Sequence, residues 1–200
     1  MTLTHILTTA AVCALAASGV QAQRTVATQP QADRISTSAP VAKKSPMNSA
    51  SLRTDDGYAR IIYSQPMLRG RKMLGEELAF GELWRLGANE ATEIFLTEQM
   101  EIGPDDAELD AGAYSVFAIP GEEAWTLVFN SKLGEWGAYG YDESLDVLRV
   151  EVPVTVGDES YEAFTIFFEP AAEDAGDDAD DMLVMAWGPY RAAAEVAFDD

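Results

Sequence analysis

The residues with the widest chemical reach lie between Tyr63 and Thr92, in Y-S-Q-P-M-L-R-G-R-K-M-L-G-E-E-L-A-F-G-E-L-W-R-L-G-A-N-E-A-T. This stretch carries Arg69, Arg71, Lys72 and Arg85, half of the eight cations that follow Arg53. Cations gathered in an acidic chain either neutralise nearby carboxylates or form a pocket for an anion. In the first case Arg71 and Arg85 pair with Glu77, Glu82 or Glu90 and tie a long excursion onto the fold. In the second, Arg71 and Arg85 hold an anionic substrate, and Glu90, beside Trp84 and Arg85, serves as acid or base. The G-A-N-E-A-T run adds Gly87 and Ala88, which permit close backbone approach. It also adds Asn89 and Glu90, polar groups that either face a ligand or cap a turn.

A second candidate segment is W-G-A-Y-G-Y-D, which places Trp136, Tyr139 and Tyr141 within six residues. At a period of two, Tyr139 and Tyr141 share a face. Left exposed, these rings would stack on a sugar or another flat apolar ligand; buried, they would serve the core. Two acidic clusters complete the set: Asp105, Asp106, Glu108 and Asp110, then Glu173, Asp174, Asp177, Asp178, Asp180 and Asp181 around Gly176. Calcium takes oxygen ligands of this kind. Neither cluster has the spacing of a calcium loop, so both read as solvated, self-repelling loops, and no metal or cofactor site is assigned.

Other chemistries are excluded by composition. The single His and single Cys are His5 and Cys13. Both fall in a leader whose apolar stretch, Ile6 to Ala17, is too short to span a bilayer. Val20 and Ala22 fit the small-residue rule for cleavage, so residues 1–22 read as a signal peptide. The expected location is periplasmic or secreted, with no membrane insertion once the leader is cut. The mature chain then lacks His and Cys. A Ser-His-Asp triad, a Cys nucleophile, a disulfide and a His or Cys zinc site are all excluded.

Charge divides the remainder. Residues 23–53 are rich in Ala, Ser, Thr, Gln and Pro, carry a charge of +4, and read as a disordered basic linker. The whole chain has a net charge of −21, so residues 54–200 carry −25. Such a domain repels nucleic acid, which needs a basic face.

The candidate residues must be positioned by strands. Apolar residues alternate through Ala59, Ile61 and Tyr63; Ile94 and Leu96; Tyr114, Val116 and Ala118; and Trp125, Leu127 and Phe129. The pattern continues through Leu148 to Val156, Phe164 to Phe168, Leu183 to Trp187, and Ala192 to Phe198. Turn clusters such as Gly103-Pro104-Asp105-Asp106 and Pro120-Gly121 separate several of these runs. The pattern predicts an all-β domain over 54–200: an antiparallel β-sandwich or jelly roll of about eight strands. One short helical excursion is expected over Glu76 to Leu86. Pro153, inside the longest run, predicts a sheet edge or a bulge.

Three separated motifs carry a family resemblance. They are Y-S-x-P…G-R-x-x-x-G…W-R-x-G-A-N-E-A-T, G-A-Y-S-V-F-A-I-P and W-G-A-Y-G-Y-D…D-V-L-R-V. In this order they resemble the bacterial family known as domain of unknown function 2911, over roughly Ala50 to Trp187. The resemblance implies one exported, β-rich domain and supplies no reaction. The motif positions include Tyr63, Arg71, Trp84, Arg85, Asn89, Glu90, Trp136, Tyr139 and Tyr141, which form the candidate ligand-binding set. No catalytic residue is assigned. The expected function is non-enzymatic binding of a small molecule, a glycan or an envelope partner. A structural envelope role and carboxylate catalysis by Glu90 remain the alternatives.

Overall fold

The computed structural model describes residues 44–171 and 180–198. The expected signal peptide, most of the expected linker, and Glu173, Asp174, Asp177 and Asp178 lie outside them. The described chain forms nine strands: β1 (Met47–Arg53), β2 (Tyr58–Ser64), β3 (Thr92–Leu96), β4 (Met100–Ile102), β5 (Ala107–Leu109), β6 (Gly112–Pro120), β7 (Ala124–Asn130), β8 (Asp146–Glu169) and β9 (Asp181–Phe198). They join in one antiparallel sheet, in the order β1-β2-β3-β6-β7-β8-β9-β4-β5. The fold is all-β, as the alternation predicts.

The sandwich-like arrangement comes from this one continuous sheet facing itself. Ile61, Ile94, Val116, Leu127 and Phe129 meet Ile166, Leu183 and Met185 across the interior. The space left among them is about 10 Å³, no more than one water requires. That part of the interior is therefore a packed core with no room for a ligand.

β6 and β7 bury both faces. Val116, Ala118, Leu127 and Phe129 point into the main core. Phe117 and Val128, on the opposite face, form a second cluster with Ala91, against which Leu83, Ile119, Ala138 and Tyr141 pack. The β2–β3 excursion and the β7–β8 loop thus share an apolar floor. That floor brings two distant parts of the sequence together.

Several expectations need correction. Glu76 to Leu86 forms turns and isolated bridges, not a helix. Gly75 and Gly81, at φ 80° and 84°, interrupt any helical path. The only helical turn among the described residues is a 3-10 turn at Glu143–Leu145. The separate runs at 148–156 and 164–168 are one strand, β8, because register shifts between Val156 and Thr165 absorb the intervening residues as bulges. The runs at 183–187 and 192–198 are likewise one strand, β9. Pro153 sits where β8 changes partner: it is opposite Ala124 of β7, and Val154 is opposite Ala192 of β9. A residue without an N–H is tolerated at that changeover.

The linker boundary also moves. Residues 47–53, expected to be disordered, form β1 and pair with β2 along its whole length. The strand is polar because it lies at the sheet edge, with only Ala50 and Leu52 packed on the core. A chain beginning at Thr54 should therefore melt below one beginning at Lys44. With about 0.5–1.5 kcal/mol per ladder hydrogen bond and about 2–4 °C per kcal/mol, the expected difference is on the order of 10 °C. Equal melting temperatures would show that β1 adds nothing.

Candidate functional site

The excursion from 65 to 91 is fastened at both ends. At its start, Leu68 N–H donates to Glu162 O and Phe164 N–H to Pro66 O, each at 2.8 Å, which pins it to the bulged part of β8. At its far end, Trp84 and Ala118 exchange backbone hydrogen bonds at 2.7 and 2.8 Å. This drives the Trp84 side chain into the main core, where it is only 7 % exposed. It stacks on Trp187 at 5.4 Å and 13°, and meets Phe164 and Trp125 edge-on at 4.9 and 6.0 Å. Its indole N–H donates to Gly87 O at 3.0 Å. Trp84 is a core anchor.

The following turn has unusual backbone geometry. Leu86 and Asn89 have φ of 49° and 60°, a region that Asn tolerates better than most residues. Gly87 is required by contact: a Cβ there would lie 2.9 Å from Ser64 O. Asn89 Nδ2 donates to Ser45 O and to Ser64 Oγ, each at 3.2 Å, tying the turn to the start of the domain and the end of β2.

The same turn pairs with the β7–β8 loop. Ala91 N–H donates to Glu135 O at 2.9 Å, Gly137 N–H donates to Asn89 O at 3.0 Å, and Glu90 bridges Trp136. Arg85 Nη1 reaches Asn89 O at 3.4 Å. A Cβ on Gly137 would lie 2.8 Å from Arg85 Nη1 and 3.1 Å from the Tyr139 ring, so Gly137 lets both approach. Lys132 braces the loop through Glu135 at 2.8 Å and Gly140 O at 2.7 Å. Arg85, Asn89, Glu90, Trp136 and Tyr139 are therefore brought to one place. Beside them lies a notch of about 230 Å³, lined in part by Ser64, Glu90, Glu93 and Gly134.

The aromatic residues divide. Trp136 and Tyr139 are 58 % and 89 % exposed. Tyr141 turns inward and meets Phe117 edge-on at 5.1 Å. Tyr139 and Tyr141 do not share a face, because the segment is a series of turns with Gly137 at φ 75°, not a strand. Tyr141 donates to Asp146 Oδ2 at 2.6 Å and accepts from Arg149 at 2.7 Å. Arg149 also holds Asp146 through Nε and Nη2, at 2.9 and 2.7 Å. Asp146 and Arg149 lie in the D-V-L-R-V motif but outside the candidate ligand-binding set. Burial, followed by the hydrogen bond to Asp146 and its negative charge, pushes the Tyr141 hydroxyl up to about 12, against an opposing pull from Arg149.

Tyr63 also lines the notch beside Glu90, whereas Arg71 lies elsewhere. Tyr63 is buried; its hydroxyl accepts from Ile166 N–H at 3.1 Å and donates to Ile166 O at 3.4 Å, which staples β2 to β8. Burial raises its pKa, against the opposing hydrogen bonds from Ile166 and Asn48. Arg71 donates to Leu68 O and Met67 O, each at 2.9 Å, and to Glu77 at 3.1 Å. It lines a different pocket, which includes neither Arg85 nor Glu90. The notch beside Glu90 includes neither arginine.

No group of three or more His, Cys, Asp or Glu side chains among the described residues is placed to hold a metal ion. None of their helices is long and apolar enough to cross a membrane. The structure thus defines an antiparallel β domain with a braced surface loop that presents two aromatic rings. The family described as "Protein of unknown function (DUF2911)" matches residues 45–196. That match covers more than half of the chain, and the chain belongs to this family. No curated protein and no solved structure matches it.

The raised Tyr141 pKa has a defined consequence. Its folded value of about 12 lies above the ordinary 10.0, so the unfolded chain loses this proton first. The stabilisation is present below about pH 10 and is lost as pH rises towards 12. Tyr141→Phe should make the fall in melting temperature over that window shallower than in the parent. Parallel curves would contradict the assignment.

Proposed function

We propose that this protein is an exported, non-enzymatic binding module that holds a neutral glycan on the Trp136–Tyr139 loop. The observation that carries this reading is the exposure of both rings on a loop braced from several sides. A large exposed aromatic offers an apolar face at little entropic cost when its backbone is already held. Glu90 and Glu93 at the adjoining notch supply carboxylate acceptors for sugar hydroxyls. The net charge of −25 on residues 54–200 favours a neutral sugar over an acidic one. The signal-like leader and the absence of His and Cys after it support export and a non-catalytic role.

Carboxylate catalysis at Glu90 has less support. It needs Arg71 and Arg85 together at Glu90, and Arg71 lines a pocket that includes neither Arg85 nor Glu90.

The test is calorimetric titration with a panel of neutral oligosaccharides. At about 1 kcal/mol for each stacked ring, Trp136→Ala with Tyr139→Ala should weaken binding about thirtyfold. The melting temperature should move by no more than about 2 °C, since exposed side chains contribute little to stability. Failure of every sugar to bind, or equal binding by the double variant, would overturn the proposal.

A further inference from the structure

A second pocket, of about 230 Å³, opens where the Leu68–Leu74 part of the excursion faces β9. The fold creates it directly. The bulges of β8 between Val156 and Thr165 interrupt its regular pairing with β9 beside Trp187 and Tyr190. Gly188, at φ 56°, turns the backbone there. Leu68, Met73, Trp187 and Tyr190 supply an apolar wall, and Arg71 and Lys72 line the same pocket. This pocket shares no residue with the Trp136–Tyr139 loop or with the notch beside Glu90.

Two observations point to a ligand. Trp187 is 2 % exposed, and its indole N–H has no hydrogen-bond acceptor among the described residues. A buried donor is ordinarily satisfied, and an acceptor-bearing molecule in this pocket would lie against the same indole. The Trp125 N–H is also unmet, but Trp125 is not among the residues that wall this pocket. The second observation is the placement of Arg71. Three of its five guanidinium protons are spent on Leu68 O, Met67 O and Glu77. These bonds hold the planar group in place and leave two protons for an anion. Lys72 is tied to Glu76 through an exposed pair at 3.3 Å, which costs little to exchange for a ligand.

We propose that this pocket binds a small anionic amphiphile, with a flat apolar body against Tyr190, Met73 and Leu68, an acceptor atom beside the Trp187 indole N–H, and a carboxylate or sulfonate at Arg71 and Lys72. The volume lies just below the roughly 300–1,000 Å³ of most small-molecule sites, so the ligand is small. The predominantly apolar wall supplies affinity by burial, and the cations select the charged head.

The experiment uses two fluorescent probes that share one apolar body. 8-Anilinonaphthalene-1-sulfonate carries an anionic head, and N-phenyl-1-naphthylamine does not. Both are titrated into the purified chain, with a cooperative melt confirming the native state. The sulfonate probe should bind saturably at one site. Ser160→Phe, which places a ring at the pocket wall, should abolish binding of both probes. Arg71→Gln should weaken the sulfonate about tenfold, the usual worth of a charged hydrogen bond, and leave the uncharged probe unchanged. Unaltered binding by a folded Ser160→Phe variant would overturn the site. Equal effects of Arg71→Gln on both probes would overturn the role of the cation. If Ser160→Phe fails to fold, the Arg71→Gln comparison decides alone.

Discussion

The surface of this protein depends on the burial of Trp84. Its ring is sandwiched into the core by Trp187, Phe164 and Trp125, and its backbone is bonded to β6 on both sides of the peptide. Aromatic side chains bury large areas, and their edge and stacked contacts add about 0.5–1.5 kcal/mol each. That anchoring fixes the end of a long excursion that has no regular secondary structure of its own. Once Trp84 is seated, the turn through Leu86, Gly87 and Asn89 has little freedom, because Trp84 also holds Gly87 O and Thr92 holds Leu86 O at 2.5 Å. The β7–β8 loop pairs onto that turn and inherits its position.

The motif residues consequently have different roles. Tyr63, Trp84, Asn89 and Tyr141 act as fasteners: each joins segments through bonds that are buried or partly buried. Trp136 and Tyr139 are displayed on what those fasteners hold. Arg71 fastens its own loop and borders the second pocket. The acidic surface gains little stability from its cationic partners. Most of its ion pairs are exposed, and such pairs contribute little. Stability comes from the two apolar clusters on either side of β6 and β7.

The core was legible where one face is buried and the other wet. Ala59 and Ile61 of β2 and Ile94 and Leu96 of β3 alternate as expected and lie inside. β1 was not legible, because an edge strand held by backbone bonds needs few apolar side chains, and M-N-S-A-S-L-R reads like its linker. The continuity of β8 was hidden by bulges, whose extra residues break the period of two. The candidate site was legible in part. The G-A-N-E-A-T turn and the W-G-A-Y-G-Y-D loop were recognised separately. Their meeting depends on a shared apolar floor that no local pattern records. Trp187 and Tyr190 gave no functional signal, since alternating aromatics ordinarily mean core.

The most direct test of this account is the unfolding free energy of Trp84→Ala, measured by denaturant titration against the parent chain. Removal of a large buried aromatic that joins three others should cost about 3–5 kcal/mol. A loss below about 1 kcal/mol, the range of an ordinary surface change, would contradict the claim that the excursion and its paired loop are held in place through Trp84.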